Sequence, residues 1–233
     1  MIKACKLSVV LLSIFLLLLV SCASLSSSNS YEAITEDEAR QALTTALSSA
    51  VANANTEFYK HISTSSFLPS EYQTLTDLTS IPGLSQIFSN WKTYVQDFIY
   101  SNLEAFYAFV DSCTLAIEIE DPLSLVEESN TSMTELFSYL YTTDMRSFWT
   151  TCMENLEQFY VSELLNQYTN WIVSQNLLYE TQLQALESVN IKEYLANHLT
   201  ELYLEKLATE EELFRTTPNA YADKTARKVF RTY

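Results

Sequence analysis

The chain has 233 residues, 13 Lys and Arg against 29 Asp and Glu, and a formal net charge of −16. So acidic a balance excludes binding to nucleic acid or anionic lipid through a basic surface. A single glycine, Gly83, excludes the Gly-rich loops that cradle phosphates and any architecture with many tight hairpins.

Lys3 and Lys6 precede an apolar block, Leu7 to Val20, interrupted by Ser8 and Ser13. The block is shorter than the about 20 apolar residues of a membrane-spanning helix, and its charged start and small-residue end are those of a secretory signal. Leu19-Val20-Ser21-Cys22 resembles the bacterial lipobox, in which the cysteine thiol is acylated and becomes the first residue of the mature protein. The expectation is a leader over residues 1–21, lipid on Cys22, a Ser-rich tether over 22–32, and one domain over 33–233. Two or more acyl chains give stable anchoring. The expected address is therefore the cell envelope, with the outer membrane or periplasmic face favoured and the membrane as first partner.

Thr35 and Glu38 form a capping box, with Ile34 and Ala39 as a hydrophobic staple. The stripe Ala39, Ala42, Leu43, Ala46, Leu47, Ala50, Ala54, Phe58 and Ile62 has the i, i+3, i+4 spacing of an amphipathic helix. A short helix is predicted over Ser70–Thr79, then a turn at Ile81-Pro82-Gly83 and a long helix from Leu84 to about Leu115. Its predicted stripe runs through Leu84, Ile87, Phe88, Trp91, Val95, Phe98, Asn102, Phe106, Phe109 and Cys113, and the opposite side carries Tyr94, Tyr100, Leu103, Tyr107 and Val110, so much of this helix is expected to be buried. The AIEIE stretch, with Ile117 and Ile119, is the one strand candidate.

Asp121-Pro122 reads as an N-cap with proline at the first helical position, opening a short helix to Glu128. Ser132 and Glu135 suggest a second capping box, and helices over 132–141, 143–158 and 159–175 follow with weakly marked boundaries. Asn190 and Glu193 start a helix reaching Phe214, Pro218 punctuates it, and a basic helix runs from about Asn219 to Phe230. The pattern is an all-α, multi-helix bundle.

Glu211 to Phe230, EELFRTTPNAYADKTARKVF, resembles the closing motif of a bacterial envelope family known as domain of unknown function 4197. The matching positions are Phe214, Arg215, Pro218, Ala220, Lys228, Val229 and Phe230. ITEDEARQALTTALSSAVANA, FLPSEYQTLTDL and CTLAIEIEDPLSLVEESNTSMTELFSYL are similar to its opening helix, its Leu-Pro segment and its central stretch. The resemblance implies an all-helical exported domain and carries over no catalytic residue.

For chemistry the sequence offers little. His198 has Glu201 and Glu205 on its helical face, but the zinc-protease spacing is absent, and a solvated acidic face is the simpler reading. His61 stands near a helix end, where a cation suits the dipole. Glu210, Glu211 and Glu212 read as a solvated run, and Arg215 as a capping or ion-pairing residue fixing the turn into Pro218. No nucleophile elbow is present, and no metal or cofactor is expected. Cys113 and Cys152 are compatible with a disulfide or with two buried thiols.

The aromatic content, 15 Tyr, 12 Phe and 3 Trp, is the strongest unexplained feature. Trp91, Phe98, Phe106, Phe109, Trp149 and Trp171 either pack a core or line an apolar ligand cavity. Three functions follow: a non-enzymatic envelope lipoprotein presenting an acidic helical surface to a protein partner, a carrier of a lipid-like ligand, and an enzyme using the acidic C-terminal helix. The first fits the composition best.

Overall fold

The computed structural model describes residues 33–73, 81, 83–155, 159–179, 189–220 and 223–231. The leader, Cys22 and the tether lie outside these residues, as does most of the predicted 70–79 helix. The chain divides after Ile34, and the architecture below is that of the unit beginning at Thr35.

The helices are α1 Glu36–Thr64, α2 Ser70–Gln73, α3 Leu84–Leu115, α4 Pro122–Glu128, α5 Ser132–Cys152, α6 Phe159–Tyr179, α7 Ile191–Thr216 and α8 Lys224–Phe230, with 3-10 turns at Met153–Asn155 and Pro218–Ala220. No strand occurs among the described residues; Ile117 to Ile119 is irregular and non-helical. No described helix is long and apolar enough to cross a membrane. The all-α bundle expected from the periodicity is what forms.

Local signals set several helix starts. The Thr35 side chain accepts from the Glu38 N–H while Glu38 accepts from the Thr35 N–H, completing the capping box. Asp121 accepts from the Ser124 N–H, and Asn190 from the Glu193 N–H. Gly83 precedes α3 at φ 80°, in the left-handed region where a side chain would be strained.

α1 lies at the centre, packed against α7 and α8 on one side and against α3 and α4 elsewhere. Every residue of its predicted stripe is buried. Ala39, Ala42, Ala46 and Ala50 are fully covered, and their small side chains let neighbouring helices approach the α1 backbone. Lys228 of α8 pairs with Glu38 of α1 at 2.6 Å, which holds the Glu38 carboxyl below the ordinary carboxylate pKa.

α3 deviates from its predicted face. Ile99 is buried together with Leu103 and Val110 of the expected second apolar side, while Phe98, Asn102 and Phe109 of the expected stripe are only partly so. The face is kept by steps of four, Trp91, Val95, Ile99 and Leu103, and a one-residue shift turns a side chain by about 100° around the helix.

Polar side chains tie these helices together. Asn55 of α1 accepts from Tyr203 of α7 through its side chain and from Tyr107 of α3 through its carbonyl, both at 2.8 Å. Burial raises both phenol pKa values, that of Tyr107 to about 12. Gln96 donates to the carbonyls of Ile62, Ser63 and Ser65, closing the C-terminus of α1.

Ile81, Leu84, Ile87 and Leu164 form a core between α3 and α6, covered by Phe88, Tyr168 and Trp171. Beyond it, the end of α6 exposes Val173, Leu177, Leu178 and Tyr179.

Candidate functional site

Beside Pro122, the chain leaves α3 and crosses to α4 through Ile117–Asp121. Burial in this crossing favours one face: Ile119 is covered while Glu118 and Glu120 are exposed. Arg40 of α1 donates to the Ile119 carbonyl and holds the crossing in place. Two grooves flank it. One, about 340 Å³, lies between Glu118, Glu120 and Asp121 on one bank, Ser124 and Leu125 of α4, and Leu136 and Leu140 of α5. The other, about 440 Å³, is lined by Arg40, Thr44, Ile117 and Ile119 together with the same two glutamates. The first groove thus joins an acidic rim to a leucine-lined floor.

Beneath the first groove lies a buried ionic junction. Arg215 and Glu211 of α7 are paired at 3.1 Å with side chains 1% and 0% exposed. Glu211 accepts from the N–H groups of Met133 and Thr134 at 3.1 and 2.7 Å, and from the Thr134 hydroxyl at 2.7 Å. Those N–H groups belong to the first turn of α5, so a carboxylate from α7 caps it and meets the positive end of its dipole. Arg215 donates to the carbonyls of Leu125 and Val126 at 3.1 and 2.8 Å, in the last turn of α4. Its other amino group reaches the Ser132 hydroxyl at 2.7 Å, and that hydroxyl donates to the Leu125 carbonyl at 2.6 Å.

One i, i+4 pair therefore closes the end of one helix and the start of the next. Phe230 of α8 covers the guanidinium face at 5.0 Å, and Phe214 meets that ring edge-on. Burial pulls the Arg215 pKa down against the opposing pull of Glu211. From so high a starting value the group keeps its charge at neutral pH.

The expected capping role of Arg215 is thus present, but it acts on α4, and Pro218 is buried in the 3-10 turn that follows α7. Three expectations are corrected. Glu211 is not part of a solvated run, although Glu212 is exposed. The Ser132–Glu135 capping box does not form: Ser132 serves Leu125 and Arg215, and Glu135 accepts from Ser129 and Thr131. The predicted breaks near 142 are absent as well, because α5 runs unbroken to Cys152.

The six singled-out aromatics do not share one space. Phe106 and Trp149 are fully buried and in contact at 4.7 Å, packed with Phe58 and Tyr203. Trp91 is buried along α3, while Phe98 and Phe109 are half-buried, the latter stacked on Phe148. Trp171 stacks on Tyr168 in the α3–α6 core. Cys113 and Cys152 are free thiols, and burial raises both pKa values, which disfavours the reactive thiolate.

His198 stacks on Tyr194 and meets the ring edge of Phe67. Phe67 sits at φ 52°, in the left-handed region, and is buried, so packing holds a backbone conformation that costs about 1–2 kcal/mol. Glu201 pairs instead with Arg146, and Glu205 with Lys206. No three His, Cys, Asp or Glu side chains among the described residues are placed to hold a metal ion.

Burial and the nearby His61 lower the His198 pKa, with Glu201 and Glu205 opposing. The folded state therefore prefers the neutral ring. Stability from this group is full above the unfolded value of about 6.5 and falls as pH drops below it through the lowered folded value. Urea denaturation at pH 5 and pH 7 is expected to show a smaller acid loss in His198→Phe than in the wild type.

No curated protein and no solved structure matches the chain. The family described as "Protein of unknown function (DUF4197)" matches residues 30–231, which include Glu211, Arg215 and the Phe230 that covers them, and the chain belongs to that family.

Proposed function

We propose that this protein is a membrane-tethered, non-catalytic interaction module of the cell envelope. Cys22 carries the lipid, the Ser-rich segment is the tether, and the helical body receives a protein partner in the groove between the 117–121 crossing, α4 and α5. The observation that supports this reading is the use made of Arg215 and Glu211. Their hydrogen bonds go to the ends of α4 and α5, the two helices that frame the groove. A buried junction so placed fixes the shape of a surface.

Mass spectrometry of protein extracted from native membranes tests the tether. The expected N-terminal peptide begins at Cys22 with its fatty acids attached, and Cys22→Ser is expected to move the protein to the soluble fraction. A native chain beginning at Met1, or an unmodified Cys22 thiol, would remove the anchor from the reading.

A further inference from the structure

We propose that the groove beside Ile117–Glu120 binds an extended peptide in which basic and apolar residues alternate. The peptide pairs with the backbone of that crossing and sets its apolar side chains on Leu136 and Leu140. This rests on the interaction reading above and names the chemistry of the partner.

Three independent features converge. Among the described residues, the N–H groups of Glu118 and Glu120, the two exposed residues of the crossing that line this groove, donate to no backbone carbonyl. Backbone donors in a non-helical stretch beside an open groove are a template for another extended chain. The far bank is apolar: Leu140 is 42% exposed, which leaves its side chain without a full set of packing neighbours. The near bank is acidic through Glu118, Glu120 and Asp121, and no basic side chain lines this groove. Arg40, the nearest cation on the crossing, lies in the other groove with its guanidinium on the Ile119 carbonyl.

An extended chain alternates its side chains between two faces. Apolar residues on one face therefore meet the leucines while basic residues on the other meet the carboxylates. The volume of about 340 Å³ falls at the small end of binding clefts, about 300–1,000 Å³. It fits a few side chains of a strand and not a folded helix.

The probe is a fluorescein-labelled peptide of seven residues alternating lysine with leucine, titrated against the full mature protein by fluorescence anisotropy. Saturable, salt-sensitive binding is expected. Leu140→Asp is expected to weaken it about tenfold by removing an apolar anchor. Glu118→Gln with Glu120→Gln is expected to weaken it and flatten the salt dependence. Methylating alternate peptide nitrogens is expected to abolish binding. All substituted positions are exposed, and circular dichroism confirms that the variants stay folded. The proposal is overturned by absence of saturable binding, by equal binding of a glutamate–leucine peptide, or by indifference to Leu140→Asp.

A photo-crosslinker placed at Leu140 in cells separates the two levels. A discrete crosslinked partner without peptide binding overturns only the peptide chemistry. Absence of any crosslinked partner overturns the interaction reading itself.

Discussion

Arg215→Met is expected to destabilise the protein by about 3–5 kcal/mol, the cost of leaving a buried partner charge uncompensated. At a urea m-value of about 2 kcal/mol/M this is a fall of roughly 2 M in the midpoint. The loss has two parts. Glu211 stays fully buried without its cation, and the Val126 carbonyl loses the guanidinium donor while the Leu125 carbonyl keeps only the Ser132 hydroxyl. The double variant Arg215→Met with Glu211→Met removes the orphan charge and is expected to be more stable than Arg215→Met alone. It will not return to the wild-type value, because the first-turn N–H groups of α5 then lose their acceptor. Equal midpoints for the single and double variants would show that the unpaired charge is not the cause.

Phe106→Ala is expected to cost a similar amount, about 3–5 kcal/mol, by opening a cavity. The ring of Phe106 is fully buried and meets Phe58 of α1, Phe148 and Trp149 of α5, and Tyr203 of α7. Helices from across the chain converge on it, so collapse around a truncated side chain would require several to move together. Phe109→Ala, one turn along and half-buried, is the control and is expected to cost less. A matched loss of near-ultraviolet circular dichroism would report the loosened packing around Trp149. Equal midpoints for the two variants would argue that Phe106 is not the hub of the core.

Much of this fold is written in local signals. Thr35, Asp121 and Asn190 mark helix starts because each cap needs partners only two or three residues away. The alanine stripe of α1 is legible for the same reason. Glu211 was missed because what it caps lies about 78 residues distant in sequence. A signal was nevertheless present: Leu207, Glu211 and Phe214 continue the i, i+4, i+7 stripe of α7, so a carboxylate stood on the buried face. The Ser132–Glu135 box was a false signal because the distant carboxylate took the N–H groups that a local cap would have used. The groove was not legible at all. Its banks come from an irregular crossing and two helices, and only their packing brings Glu118 opposite Leu140.

The contact of α1 with α7 and α8 has a consequence for how the protein is made. Glu38 leaves the ribosome 190 residues before Lys228, its partner. Until α7 and α8 have been made, the part of the α1 surface that they bury lacks its cover, although α3 and α4 already pack elsewhere on the helix. The first helix of this unit therefore waits for cover from the last two described helices, and its long-range contacts with them form only after both have been made.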